Sequence, residues 1–203
     1  MSKKRVAVLI SGRGSNMTAL IEAAKAQDYP ADIVLVVSNV PDAGGLAYAR
    51  QAGVPTLVVD HRAFGGDRAA FEHALDAQLE DQRIDIVCLA GFMRLLTPWF
   101  VTRWSGRMLN IHPALLPQFK GLHTHRRALE AGVKEHGATV HFVVPEMDSG
   151  PIVAQQAVPV LAGDTEETLA ARVLQVEHRI YPEALRLLAE GRVPLPAETK
   201  RAP

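Results

Sequence analysis

Short runs of β-branched and aliphatic residues alternate with longer stretches of helical period along most of this chain. That alternation restricts the chain to a wound α/β sheet, because a helix between two strands carries the second back parallel to the first. Strands are expected at Arg5–Ile10, Ile33–Ser38, Thr56–Val59 and Ile84–Ala90, then at Met108–Ile111, Thr139–Val144 and Ile152–Val158. Between the first two, Met17, Leu20, Ile21 and Ala24 share one helix face, and Phe71, Leu75 and Leu79 repeat the signal before the fourth strand. A last long helix carries Leu169, Val173, Val176 and Ile180 as its buried stripe, with Asp164 as the cap and Glu167 three residues on.

From Met108 onward the crossovers shrink to a brief helix, Thr124–Ala131, ending at Gly132, and to the turn Met147–Pro151. A parallel first half running into a mixed second half is the simplest layout. At 203 residues without a linker-like stretch, one domain is expected. The segment from Val193, VPLPAETKRAP, reads as a loosely held tail.

Lys+Arg 22 against Asp+Glu 22 gives no net charge, which argues against a surface that coats nucleic acid or anionic membrane. The apolar part of MSKKRVAVLISGRGSN stops at Ile10, too short for a signal peptide's hydrophobic region, so a first strand is expected there. No apolar run approaches bilayer length, and a cytoplasmic protein is expected. Cys88 lies in the run Ile86–Ala90 and reads as a small core hydrophobe.

Several polar residues stand where chemistry could use them. In Asn110-Ile111-His112-Pro113-Ala114-Leu115-Leu116-Pro117, alternation puts Asn110 and His112 on one strand face, and Pro113 ends the ladder because it lacks an N–H. Ligands of open α/β sheets bind at such carboxyl ends. The alternative is a core histidine satisfied by a backbone carbonyl, with Asn110 holding a turn.

Ser11-Gly12-Arg13-Gly14-Ser15-Asn16 joins the first strand to the first helix and suits an anion. Met17 replaces the third glycine of a dinucleotide fingerprint, and Ser38-Asn39 lacks the ribose acid, so a monophosphate fits better than NAD. An ordinary capped turn is the alternative. Gly91-Phe92-Met93-Arg94-Leu95-Leu96-Thr97-Pro98 follows the fourth strand and suits a flat heteroaromatic ring, or else packs under a neighbouring helix.

Asp148 lies in EMDSGP, 36 residues after His112, where an adjacent strand would bring the two together; the alternative is a turn former. Glu177 sits at the edge of the apolar stripe, either to hold ligand hydroxyls or to pair with Arg172 or Arg179. Six histidines crowd the second half, His112, His123, His125, His136, His141 and His178, but their spacing does not suit zinc and no metal is expected.

Taken together, LISGRGSN, LAGFMRLLTP, LNIHPALLPQFKGLHTHRRAL, GATVHFV, MDSGPIVAQ and VEHRIYP closely resemble the phosphoribosylglycinamide formyltransferases, folate-dependent enzymes of purine synthesis. The resemblance runs from about Val6 to about Gly191. It implies a single-domain, Rossmann-like formyltransferase fold, with a mixed, mostly parallel sheet of about seven strands flanked by helices. Residues 1–105 would be the nucleotide and phosphate half, 106–192 the catalytic and folate half, and 193–203 the tail.

Carried onto matching positions, the resemblance implies that Gly14, Ser15 and Asn16 hold the phosphate of glycinamide ribonucleotide, with Pro113 beside that substrate and Glu177 on its ribose hydroxyls. Arg68, Met93, Arg94, Leu95, Leu96, Asn110, Val143 and Val144 would line the site of 10-formyltetrahydrofolate, Arg68 near its glutamate. Asn110, His112 and Asp148 would be catalytic. Many relatives have Asp-Gly-Gly-Pro where this chain has Asp148-Ser149-Gly150-Pro151, so Ser149 is expected to cost the turn some backbone freedom.

The implied reaction is attack of an amine on the formyl carbon, with Asn110 and protonated His112 donating to the oxyanion and Asp148 relaying the amine's proton. The chain would act as a monomer or homodimer on these small molecules, without nucleic acid, membrane or metal. Two other readings are a formyltetrahydrofolate deformylase, which would pass the formyl to water, and a non-catalytic nucleotide-binding domain. A methionyl-tRNA formyltransferase would need an added RNA-binding domain and a more basic surface.

Overall fold

The computed structural model describes residues 2–193, so the tail expected from Val193 lies, beyond its first residue, outside the described residues. The elements follow the expected alternation: β1 Lys4–Ile10, α1 Ser15–Ala24, β2 Ala31–Ser38, α2 Gly45–Gln51, β3 Thr56–Val58, a 3₁₀ turn His61–Phe64, α3 Arg68–Asp81 and β4 Ile86–Leu89. The second half contains α4 Pro98–Arg103, β5 Met108–His112, α5 Thr124–Glu130, β6 Glu135–Phe142, β7 Ile152–Pro159 and α6 Glu166–Ala189.

The seven strands form one sheet in the order β3-β2-β1-β4-β5-β6-β7. The first five run parallel, and β6 pairs antiparallel with both β5 and β7. After β3 the chain recrosses the sheet through α3 and enters at β4 beside β1. The strand order therefore reverses between β1 and β4, the kind of switch point where loops part and leave a crevice.

Both faces of β1 are covered, which explains its unbroken apolar run. Val6, Val8 and Ile10 face a core shared with α1, α2 and α6, while Ala7 and Leu9 face a second core built on α3 and α4. Cys88 is buried in the first of these cores. Among the described residues no helix is long and apolar enough to cross a membrane.

Several boundaries differ from expectation. β4 starts at Ile86, because the Ile84 N–H is taken by Leu79 O at the end of α3. β6 begins at Glu135 and stops at Phe142, leaving Val143 and Val144 in the following loop. Its first residues, Glu135-His136-Gly137, carry no β-branched signal and become a strand through their antiparallel ladder with β7, from Glu135↔Pro159 onward. The short helices α2 and α4 are too brief to show a period.

Asp164 is not the cap of α6. Thr165 is, in a reciprocal box with Thr168, and Asp164 instead binds Arg172 at 2.7 Å.

Candidate active site

Gly14 adopts a left-handed φ of 69° before α1, and a Cβ there would stand 3.2 Å from Gly45 Cα. Glycine suits this turn on both counts. The turn delivers Ser15 and Asn16 at the start of α1, where backbone N–H groups have no intrahelical partner. Asn16 is buried and its Nδ2 donates to Glu177 Oε2 at 2.5 Å, while its Oδ1 has no partner. Glu177 therefore pairs with neither Arg172 nor Arg179. Burial raises the pKa of its carboxyl above the usual range, and the Asn16 bond opposes that shift.

Across the switch point, the loop after β4 holds Met93 and Leu95 in solvent, each 65% exposed, with Arg94 and Leu96 half-buried between them. Solvent-facing apolar side chains on a loop anchored at a sheet end make a wall for a flat ligand. Arg68 is exposed at the first residue of α3, and Val143 and Val144 are half-buried just past β6.

Asn110 and His112 share a face of β5. His112 is 5% exposed, its Nε2 lies 2.9 Å from Phe119 O, and its Nδ1 lies 3.5 Å from Asp148 Oδ2. Both ring nitrogens thus face oxygen acceptors. The carbonyl contact expected of a core histidine is present, and so is the carboxylate expected of a working one. Pro113 follows, half-buried, with its carbonyl accepting from Thr124 Oγ1 at 2.7 Å.

Asp148 does not meet His112 by the route expected. β6 is antiparallel to β5, so it ends beside Leu109 rather than beside His112. The loop 143–151 turns back over the sheet face, and the Gly121 N–H holds Asp148 Oδ2 at 2.9 Å. The turn's special geometry sits at Asp148 itself, with φ 50°, and not at Ser149, which has no left-handed φ. Glycine is obligatory one residue later, since a Cβ on Gly150 would stand 1.8 Å from Phe142 O.

His141 belongs to this cluster although the chain's pattern singled it out only as one of many histidines. It is the cross-strand partner of Asn110, with its Nε2 3.3 Å from Asn110 Nδ2 and 3.7 Å from Asp148 Oδ1. Burial lowers its pKa. A neutral ring that donates from Nδ1 to Phe142 O at 2.9 Å leaves Nε2 to accept from the Asn110 amide, which orients that amide. The two-residue spacing of Thr139 and His141 was the available signal for a shared strand face, but not for the partner across it.

Behind His112, His136 is 1% exposed with neither ring nitrogen partnered, packed edge-on against Phe119 and His125. Burial, with help from nearby His125 and His112, pushes it down to about 4. Among the described residues no group of three or more His, Cys, Asp or Glu side chains is placed to hold a metal ion.

The cluster contains two hydrogen-bond donors and a carboxylate, a set able to stabilise an oxyanion and move a proton. Residues 4–185 match the family described as formyl transferase. The chain belongs to that family.

The formyl transferase likeness is close in both sequence and structure. The chain is 49% identical over 188 residues to phosphoribosylglycinamide formyltransferase of Escherichia coli K12, covering 93% of this chain and 88% of that one. It is 53% identical over 192 residues to the trifunctional purine biosynthetic protein adenosine-3 of Gallus gallus, covering 95% of this chain and 19% of that protein. The chain thus spans about a fifth of the length of that trifunctional relative. A crystal structure of phosphoribosylglycinamide formyltransferase from Brucella melitensis matches with a TM-score of 0.89 and 55% identity, covering 96% of this chain and all of that one.

Proposed function

We infer that this chain transfers the formyl group of 10-formyltetrahydrofolate to the amine of glycinamide ribonucleotide, giving formylglycinamide ribonucleotide and tetrahydrofolate in purine synthesis. The observation that carries this reading is the meeting of Asn110, His112 and Asp148 in a chain so close to relatives named for the reaction. The donor folate supplies the formyl carbon and the nitrogen that leaves.

The ribonucleotide's phosphate binds the Gly14-Ser15-Asn16 turn, with Pro113 alongside and Glu177 on the ribose hydroxyls. The unpartnered, buried Asn16 Oδ1 is an acceptor and supports a hydroxyl donor such as the ribose there, while the phosphate takes backbone N–H groups. Met93, Arg94, Leu95, Leu96, Val143 and Val144 line the folate side, and Arg68 reaches its glutamate.

The amine adds to the formyl carbon, and the carbonyl oxygen takes up negative charge. The Asn110 amide and His112 donate to that oxygen, and such donors are often worth about 3 kcal/mol each. His112 Nε2 must exchange the Phe119 carbonyl for the ligand oxygen to do so. The amine's proton passes by way of Asp148, directly or through water, to the leaving nitrogen as the bond from carbon to that nitrogen breaks.

One assay tests the reading: folate absorbance followed with and without glycinamide ribonucleotide. Formyl loss that requires the ribonucleotide is expected. Formyl loss to water at the same rate without it would make the chain a deformylase, and no reaction in either case would leave a binding domain.

A further inference from the structure

One side chain ties together the carboxyl ends of three strands. Ser11 directly follows β1, and its backbone N–H donates to Gly91 O at 3.1 Å, adding a rung to the β1–β4 ladder beyond both strands. Its hydroxyl oxygen accepts from the Met93 N–H at 2.8 Å and donates to Asn39 Oδ1 at 2.5 Å. A hydroxyl has one proton, so the Asn39 bond fixes where that proton lies and leaves the lone pairs for Met93. Asn39, just past β2, is 3% exposed and cannot swing away freely.

The other end of the same loop is also held. Glu72 of α3 is buried, and its carboxylate accepts from the Thr97 N–H at 2.7 Å and from the Thr97 hydroxyl. Between these anchors lie the exposed side chains of Met93 and Leu95.

We propose that Ser11 is a positioning residue that registers the Gly91–Leu96 wall against the phosphate turn Gly14–Asn16. The inference rests on the function proposed above, in which that wall receives the folate ring. At a switch point the two loops leave neighbouring strands in diverging directions, so their spacing is not set by the sheet alone. The Ser11 hydroxyl sets it. Without the hydroxyl, water can satisfy the Met93 N–H, but the buried Asn39 Oδ1 loses its donor, so the fold loses about one hydrogen bond while the wall loses its anchor.

The test compares Ser11→Ala with Ser11→Thr, which keeps a hydroxyl. Calorimetry would measure tetrahydrofolate and glycinamide ribonucleotide separately, and amide hydrogen exchange would be followed at Met93. Ser11→Ala is expected to weaken tetrahydrofolate about tenfold, the scale of one hydrogen bond, while changing ribonucleotide affinity less than about twofold. Met93 exchange should accelerate, and Ser11→Thr should restore both. Unchanged tetrahydrofolate affinity, or equal weakening of both ligands with a lowered melting temperature, would overturn the proposal. A wild-type protein that binds neither ligand would overturn the function itself; Met93 exchange unaltered in Ser11→Ala would overturn the tie independently.

Discussion

Asn16 donates its side-chain amide to the Glu177 carboxylate at 2.5 Å, joining the start of α1 to the last helix across 161 residues. The bond is buried, and Asn16 Oδ1 has no partner. Glu177→Ala should raise KM for glycinamide ribonucleotide by about tenfold or more, since a buried amide is left without its acceptor. Glu177→Gln keeps an acceptor for Asn16 and should cost less. Initial-rate kinetics on both variants check this, and equal effects of Ala and Gln would show that the charge, rather than the acceptor, is what matters.

Replacing Asn110, His112 or Asp148 should each lower kcat at least about a hundredfold with ribonucleotide affinity nearly unchanged, because in the proposed mechanism their contribution belongs to the transition state. His112→Ala combined with Asp148→Ala should cost much less than the product of the single effects, as the 3.5 Å contact implies. Melting temperatures measured on the same preparations separate this from a packing role. A destabilised His112→Ala protein with normal turnover per folded molecule would return His112 to the core.

Gly150→Ala should destabilise the fold by several kcal/mol or prevent folding, since the added carbon would overlap Phe142 O at 1.8 Å. Ser149→Gly should lower the melting temperature slightly rather than raise it, because Ser149 has no left-handed φ to relieve, glycine adds freedom to the unfolded chain, and the hydroxyl's bonds to Lys120 Nζ and Met147 O are lost.

Acid should weaken the fold through His136. Its pKa is near 6.5 when unfolded and about 4 when folded, so between those values the unfolded chain binds a proton that the native chain refuses. Stability present above about pH 6.5 is therefore lost as pH falls toward 4. Denaturant unfolding of wild type and His136→Leu across that window should give a flatter pH dependence for the variant. An identical slope in both would assign the acid sensitivity elsewhere.

The alternating pattern and the motif phrases determined much in advance. Unbroken apolar runs such as Val6–Ile10 mark strands covered on both faces, and the two-residue spacing of Asn110 and His112 assigns them one face, because a strand's period does not depend on its neighbours. The Gly14 turn and the loop after β4 were legible for the same reason, as local backbone chemistry.

Only the tertiary structure decided which groups meet. Glu177 could have paired with an arginine on its own helix, and nothing local signals that its partner is Asn16. Residues 135–137 are a strand because β7 supplies the ladder, and His141 faces Asn110 because β6 runs antiparallel to β5. Asp148 reaches His112 through a loop that folds back over the sheet, and Ser11 spans three strand ends. Periodicity and turn chemistry are properties of a few consecutive residues. Strand order, pairing direction and register are properties of the whole chain, set by packing that no single stretch encodes.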